Sequence, residues 1–170
     1  MATRTPPREQ THTVIDSPVG PLTLVADEDG ISGLYMTGHR HMPEPATFGD
    51  RVPGGAHLDA AADQLGRYFD GTLSEFDVPL SLHGTPFQRA VWEQLRAIPY
   101  GETISYGELA RRLGNPSASR AVGLANGRNP VSVIVPCHRV VGSGGDLTGY
   151  GGGLANKRYL LDFERGSALF

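Results

Sequence analysis

The sequence predicts an α+β protein: a small N-terminal lobe of short strands and one helix, then a mostly helical C-terminal domain with a helix-turn-helix of winged-helix type. Three observations predict it. The first third of the chain carries short apolar runs separated by turn signals. From Thr85 onward the apolar period becomes helical, and two capping signatures mark helix starts. Two of those later helices are joined by Gly114-Asn115-Pro116, a turn of helix-turn-helix proportions.

The elements follow in order. Residues 1–10 read as a flexible tail. Residues 12–16, 21–26 and 31–36 read as three strands of one sheet, with a hairpin at Asp29-Gly30. Residues 40–56 carry three Pro and three Gly without a period, and are expected to form a surface loop. Leu58, Ala62, Leu65 and Phe69 share one stripe, so 57–69 is a helix, stopped by Gly71. Phe76, Val78, Leu80 and Leu82 alternate, which predicts a half-buried strand. Thr85-Pro86-Phe87-Gln88 is a capping box with Pro at the first helical position; that helix runs to about Ala97, with Phe87, Val91 and Leu95 inward. Ser105-x-x-Glu108 is a second capping box, opening a helix through Leu113. A third helix covers 117–126, an apolar strand 131–135, a glycine-dense loop 147–153 and a closing helix 154–164. The expected division is an N-terminal α/β lobe over 11–82 and a C-terminal domain over 83–170.

Composition narrows the class. The chain has 170 residues, 39% apolar and 19% charged, enough for a buried core. Apolar runs are too short to span a bilayer, and the polar N-terminus lacks a signal-peptide stretch, so no membrane association and an intracellular, cytoplasmic location are expected. A single cysteine, Cys137, excludes an intrachain disulfide and a multi-Cys zinc site. The six histidines form no metal-ligand pattern, so neither a metal nor a cofactor is expected. Net charge is −3, but residues 1–85 hold 5 Lys and Arg against 12 Asp and Glu, and residues 86–170 hold 10 against 6. A net of −7 beside +4 leaves room for an anionic partner on the C-terminal half, or is ordinary surface scatter.

Cys137 sits in Pro136-Cys137-His138-Arg139. A thiol is a nucleophile only as thiolate and needs a base or a positive field nearby. His138 reaches Cys137 directly only in a turn, or through a bridging water. The plain alternative is a buried cysteine acting as a small hydrophobe. Glu164, among Leu160, Leu161 and Phe163, either orients His138 or lies on the solvent edge. Helix 117–126 is built of small residues around one long polar side chain, Arg120. It suits a narrow groove, or a tight core contact. Tyr150 stands among glycines that either let backbone approach a flat ligand or form a plain loop.

Ile134-Val135-Pro136-Cys137-His138-Arg139-Val140 resembles the active-site signature of the O6-alkylguanine-DNA alkyltransferases, the methylated-DNA–protein-cysteine methyltransferases. Pro99-Tyr100-Gly101-Glu102-Thr103, Ser105-Tyr106, Gly114-Asn115-Pro116, Arg120-Ala121-Val122-Gly123, Asn129-Pro130 and Gly152-Gly153-Leu154 fall in the same order and spacing. They cover 85–165 almost continuously. The first lobe matches more loosely, through Ser17-Pro18-Val19-Gly20. The resemblance implies a ribonuclease-H-like first lobe. It implies Cys137 as alkyl acceptor, His138 as base through water, Glu164 as its orienting carboxylate and Asn129 as a hinge. Tyr106 would crowd the target phosphate, and Arg120 would fill the vacated stack. Val140, Tyr150 and Gly151 would line the base pocket. Ser119, Gly123 and Asn115 would join Arg120 and Tyr106 at DNA. Gly151 stands where some relatives have serine, which removes a side-chain contact to the base oxygen. No N-terminal cysteine or histidine cluster resembles the zinc site of some relatives, and no fused regulatory domain is expected.

The implied activity is direct-reversal DNA repair. The chain would flip O6-alkylguanine, and by extension O4-alkylthymine, out of duplex DNA bound through the minor groove. It would then pass the alkyl group irreversibly to Cys137, once per molecule. A monomer without an obligate protein partner is expected. Two other readings are a DNA-binding regulator with an incidental cysteine and a cysteine hydrolase. The recognition helix lacks base-reading side chains, and no hydrolase signature surrounds Cys137, which disfavours both.

Overall fold

The computed structural model describes residues 9–166. Three strands form where expected: β1 (Thr11–Ile15), β2 (Leu22–Ala26) and β3 (Ile31–Met36). They make an antiparallel meander in which Thr11 faces Ala26 and Leu22 faces Met36. Gly30 closes the β2–β3 connection at φ 156°, and a side chain there would overlap the Pro79 carbonyl.

The sheet has four strands, not three. The expected loop over 40–56 contains a short 3₁₀ turn, Pro45–Phe48, and a two-residue strand β4 (Asp50–Arg51). β4 pairs parallel to β1, so the order is β3-β2-β1-β4. Two residues leave no period to read, which is why the sequence hides this strand. The tail expected over 1–10 falls mostly outside the described residues; within them, Gln10 accepts a hydrogen bond from Ser32 at 3.1 Å.

Helix α1 (Ala56–Phe69) lays Leu58, Ala61, Leu65 and Tyr68 against the sheet. The strand expected over 76–82 does not form. The segment is irregular and touches β3 only through a bridge between Ile31 and Leu80. Burial alternates from Phe76 to Leu80, with Val78 inside, but Ser81 is buried next, and no ladder partner lies alongside. A period of two reports facing, not pairing.

Helix α2 (Pro86–Arg96) starts at the expected capping box: Gln88 N–H donates to Thr85 Oγ1 and Thr85 N–H donates to Gln88 Oε1. Such a cap contributes about 1 kcal/mol. Phe87 faces outward at 40% exposure; Trp92 joins Val91 and Leu95 inside instead. Helix α3 (Tyr106–Arg112) has only half of its expected box, because Ser105 Oγ accepts from Glu108 N–H while the Glu108 carboxylate pairs with Arg111 and Arg112. Helix α4 (Ser119–Gly127) follows after the tight turn and packs on α2 and α3. Trp92 Nε1 donates to the Ala125 carbonyl at 2.9 Å and locks α2 to α4.

The apolar run 131–135 is a turn rather than a strand. Val133 takes φ 70°, a left-handed conformation that a β-branched residue adopts only under strain. Val135 N–H donates to the Val131 carbonyl at 3.0 Å. Asn129 staples the turn from inside, accepting from Val131 N–H at 3.0 Å and donating to the Val135 carbonyl at 2.8 Å. Bonds from a preceding side chain outweigh the extended preference of four apolar residues. A second, two-stranded sheet pairs β5 (Ile104–Ser105) with β6 (Val140–Val141), and α5 (Leu154–Arg165) closes the fold. One buried cluster runs from β2 and α1 through Trp92 to Leu160.

Candidate active site

The turn over 131–135 delivers the chain into a single 3₁₀ turn, Cys137–Arg139, whose three residues are all buried. This is the bend that frees Cys137 and His138 from opposite faces of an extended chain. Cys137 lines a small cavity with His39, Asn126, Asn129, Ser132, Tyr150 and the glycines 127, 149 and 151. In this state the cavity is too tight to admit water. Burial pushes the Cys137 thiol up; the Asn129 amide and the Lys157 ammonium pull it part of the way back.

His138 follows in the same turn and is fully buried. Its Nε2 is 2.7 Å from Glu164 Oε2. Burial lowers the ring's basicity, and the Glu164 carboxylate restores part of it. Nε2 carries a proton toward the carboxylate, and burial disfavours a second proton on Nδ1. That Nδ1 is buried and has no hydrogen-bond partner among the described residues. No hydrogen bond joins His138 to Cys137, so a proton leaving the thiol needs a carrier between them.

Glu164 is partnered, not solvated. Burial raises its carboxyl, but hydrogen bonds and charge from His138 and Arg139 override this and hold it well below the usual carboxylate range. Arg139 clamps it twice, Nε to Oε1 at 2.8 Å and Nη2 to Oε2 at 3.0 Å. Tyr68 Oη donates to Oε2 at 2.6 Å from helix α1. Arg139 Nη1 also donates to the Ile98 carbonyl, and its guanidinium lies 5.7 Å from the Tyr100 ring.

Sequence reasoning missed Tyr68, the clamp by Arg139, and Lys157. Lys157 is buried; its Nζ donates to the Val140 and Thr148 carbonyls, both at 2.7 Å. Burial lowers its ammonium to about 8. Its position one turn into α5, after a glycine run, was the only local signal. Asn126 was missed as well: its Nδ2 donates to the Cys137 carbonyl at 3.4 Å and ties α4 to the cysteine turn.

Cys137, Asn129, Tyr150 and Gly151 thus meet at one cavity. Val140 is not part of that lining: it is fully buried, and its carbonyl accepts from Lys157 rather than being open to a ligand. Tyr106 is outside the lining. Its hydroxyl donates to the Thr148 carbonyl and accepts from Thr148 Oγ1, both at 3.2 Å. Ser119 and Arg120 open α4 on an exposed face, Gly123 packs under the Tyr106 ring, and Asn115 accepts from Ser117 in the exposed turn before them.

Residues 86–166 match the family described as 6-O-methylguanine DNA methyltransferase, DNA binding domain, and residues 11–82 match its ribonuclease-like domain. This chain belongs to the 6-O-methylguanine DNA methyltransferase family. Within that family, it is 51% identical over 157 residues to the methylated-DNA–protein-cysteine methyltransferase of Mycobacterium tuberculosis, covering 92% of this chain and 93% of that protein. It is 48% identical over 154 residues to the Methanosarcina acetivorans enzyme of the same name, covering 90% and 97%. The crystal structure of the Mycobacterium tuberculosis O6-methylguanine methyltransferase superposes with a TM-score of 0.84 at 52% identity, over 92% of this chain and 93% of that one. A structure of Mycobacterium tuberculosis OGT in complex with DNA superposes at 0.83 and 50% identity, with the same coverage. The mixed α+β architecture of this methyltransferase family is the one described above.

Proposed function

We propose that this chain repairs O6-alkylguanine in DNA by taking the alkyl group onto its own Cys137. The observation that carries the reading is the buried Cys137 turn backed by a buried His138 held on Glu164. The thiol proton passes to His138 Nδ1 through a water, which enters as the closed cavity opens for the base. The Cys137 thiolate attacks the alkyl carbon, a C–S bond forms, and the carbon–O6 bond breaks with its electron pair going to the purine. The purine anion takes a proton from the exposed Tyr106 hydroxyl, which is hydrogen-bonded to Thr148, and the tyrosinate regains one from solvent. The product is a thioether, and with one cysteine in the chain nothing resolves it. Each molecule acts once.

Residues 11–82 serve as the supporting lobe and 83–170 carry DNA binding and transfer. Double-stranded DNA docks on α4 through its minor groove. The helix suits that groove because Arg120 is its one long polar side chain near the start and its neighbours are small. Arg120 fills the gap left by the flipped nucleotide, and Ser119, Gly123, Asn115 and Tyr106 line the same path. Tyr150 and Gly151 flank the base. The protein acts as a monomer inside the cell, and among the described residues no helix is long and apolar enough to cross a membrane.

Intact-mass spectrometry after mixing with O6-methylguanine duplex tests the reading. The chain gains one methyl group, mapped to Cys137. The Cys137→Ser variant gains none and keeps most of its DNA affinity. An unchanged parent mass would overturn the proposal, and repeated release of product would favour a hydrolase.

A further inference from the structure

His39 comes from the N-terminal lobe, three residues beyond β3, yet it lines the same cavity as Cys137. It is 9% exposed. Its Nδ1 accepts a hydrogen bond from Met36 N–H at 3.3 Å, and its ring meets Tyr35 edge-on with centroids 5.3 Å apart. Burial, and next the charge of His41, lower its pKa to about 4. The ring is therefore neutral at physiological pH. With Nδ1 occupied as an acceptor, the ring proton must sit on Nε2.

That Nε2 has a specific address. A Cβ built on Gly151 would lie 2.6 Å from it, with ring carbons at 3.0 and 3.3 Å. The two segments are tied together, because Arg40 N–H donates to the Gly151 carbonyl at 2.8 Å. The imidazole thus occupies the space where a side chain at 151 would begin. Its N–H makes no hydrogen bond to any described residue. An acyl- or alkyl-transfer site gains rate from a donor fixed at the atom that collects negative charge, and in this reaction that atom is the purine oxygen.

We propose that His39 is a catalytic residue supplied by the N-terminal lobe, whose Nε2–H donates to the oxygen edge of the bound purine in place of a side chain at position 151. The proposal rests on the alkyl-transfer reading above. The donor binds the oxygen more strongly as the carbon–O6 bond breaks, so it acts on the maximal rate more than on base binding. It also gives Gly151 a reason: a larger residue there would displace the imidazole.

Single-turnover transfer, followed by intact mass with free O6-benzylguanine and with O6-methylguanine duplex, tests this. His39→Leu keeps bulk but removes the donor, and is expected to lower the maximal rate about tenfold or more on both substrates. His39→Gln keeps an N–H donor and is expected to stay within about threefold of the parent. Gly151→Ser alone slows transfer by colliding with the ring. Combined with His39→Ala it recovers, because the hydroxyl then has the space and supplies the donor. Thermal melts of each variant separate folding loss from rate loss. A maximal rate for His39→Leu within twofold of the parent overturns the donor role, as does a double variant no faster than Gly151→Ser. If the parent itself gains no alkyl mass, the alkyl-transfer reading falls and this proposal falls with it.

Discussion

Replacing Tyr68 by phenylalanine isolates one bond of the Glu164 network. The hydroxyl donates to Oε2 at 2.6 Å, and the ring is fully buried among Phe69, Phe76, Tyr100 and Phe163. Phenylalanine keeps those ring contacts and removes only the donor. A hydrogen bond to a charged group contributes about 1.5–3 kcal/mol. Glu164 retains the two Arg139 bonds and the His138 bond, so the loss falls at the lower end, about 1.5–2 kcal/mol. With a urea slope of about 2 kcal/mol per molar, the midpoint drops by roughly 0.75–1 M at unchanged slope. Melting falls by about 3–8 °C. Equilibrium urea unfolding measures both midpoint and slope. A midpoint shift below about 0.2 M would show that the short hydroxyl–carboxylate bond contributes nothing net, and the account of Glu164 as a carboxylate held by donors from two lobes would fail.

Glu164 has a folded pKa depressed below its ordinary 4.5, so its stabilisation is fully present above pH 4.5 and is lost as pH falls from there through the folded value. Glu164→Gln is destabilised at pH 7, and its stability declines less steeply than the parent's below pH 4.5; parallel acid titrations of urea midpoints check this. The same variant slows alkyl transfer to duplex and to free base alike, measured by single-turnover mass, because it disturbs His138 rather than DNA. Arg120→Ala slows repair of duplex by about tenfold or more while leaving the free-base rate within about twofold, since a free base leaves no gap to fill. DNA affinity, measured by anisotropy on unrelated duplexes, weakens about tenfold or more from roughly 50 to 200 mM salt and varies little with sequence. A thousandfold preference for one duplex would favour the regulator reading.

Much of this protein was legible in the chain. Strands β1 to β3, helices α1 to α5 and the Thr85 cap depend on apolar period and on bonds between residues three or four apart, which any local stretch displays. Cys137 and His138 were marked by adjacency, and Glu164 by an awkward charge at the end of an apolar helix face. The run 131–135 and the segment 76–82 were misread because burial and extension share one pattern, and only a ladder partner or an Asn129 staple separates them. Tertiary structure alone decided which groups meet. Tyr68 reaches Glu164 across 96 positions, Lys157 reaches back to Val140, and His39 enters the cavity of a cysteine almost a hundred residues downstream. Each of those side chains obeys its own local rule, as a helix aromatic, a helix lysine or a loop histidine. What brings them together is the packing of α2 and α5 on the cysteine turn, with β3 bridged at Leu34 to Val131 just before it, and no neighbouring residue encodes that.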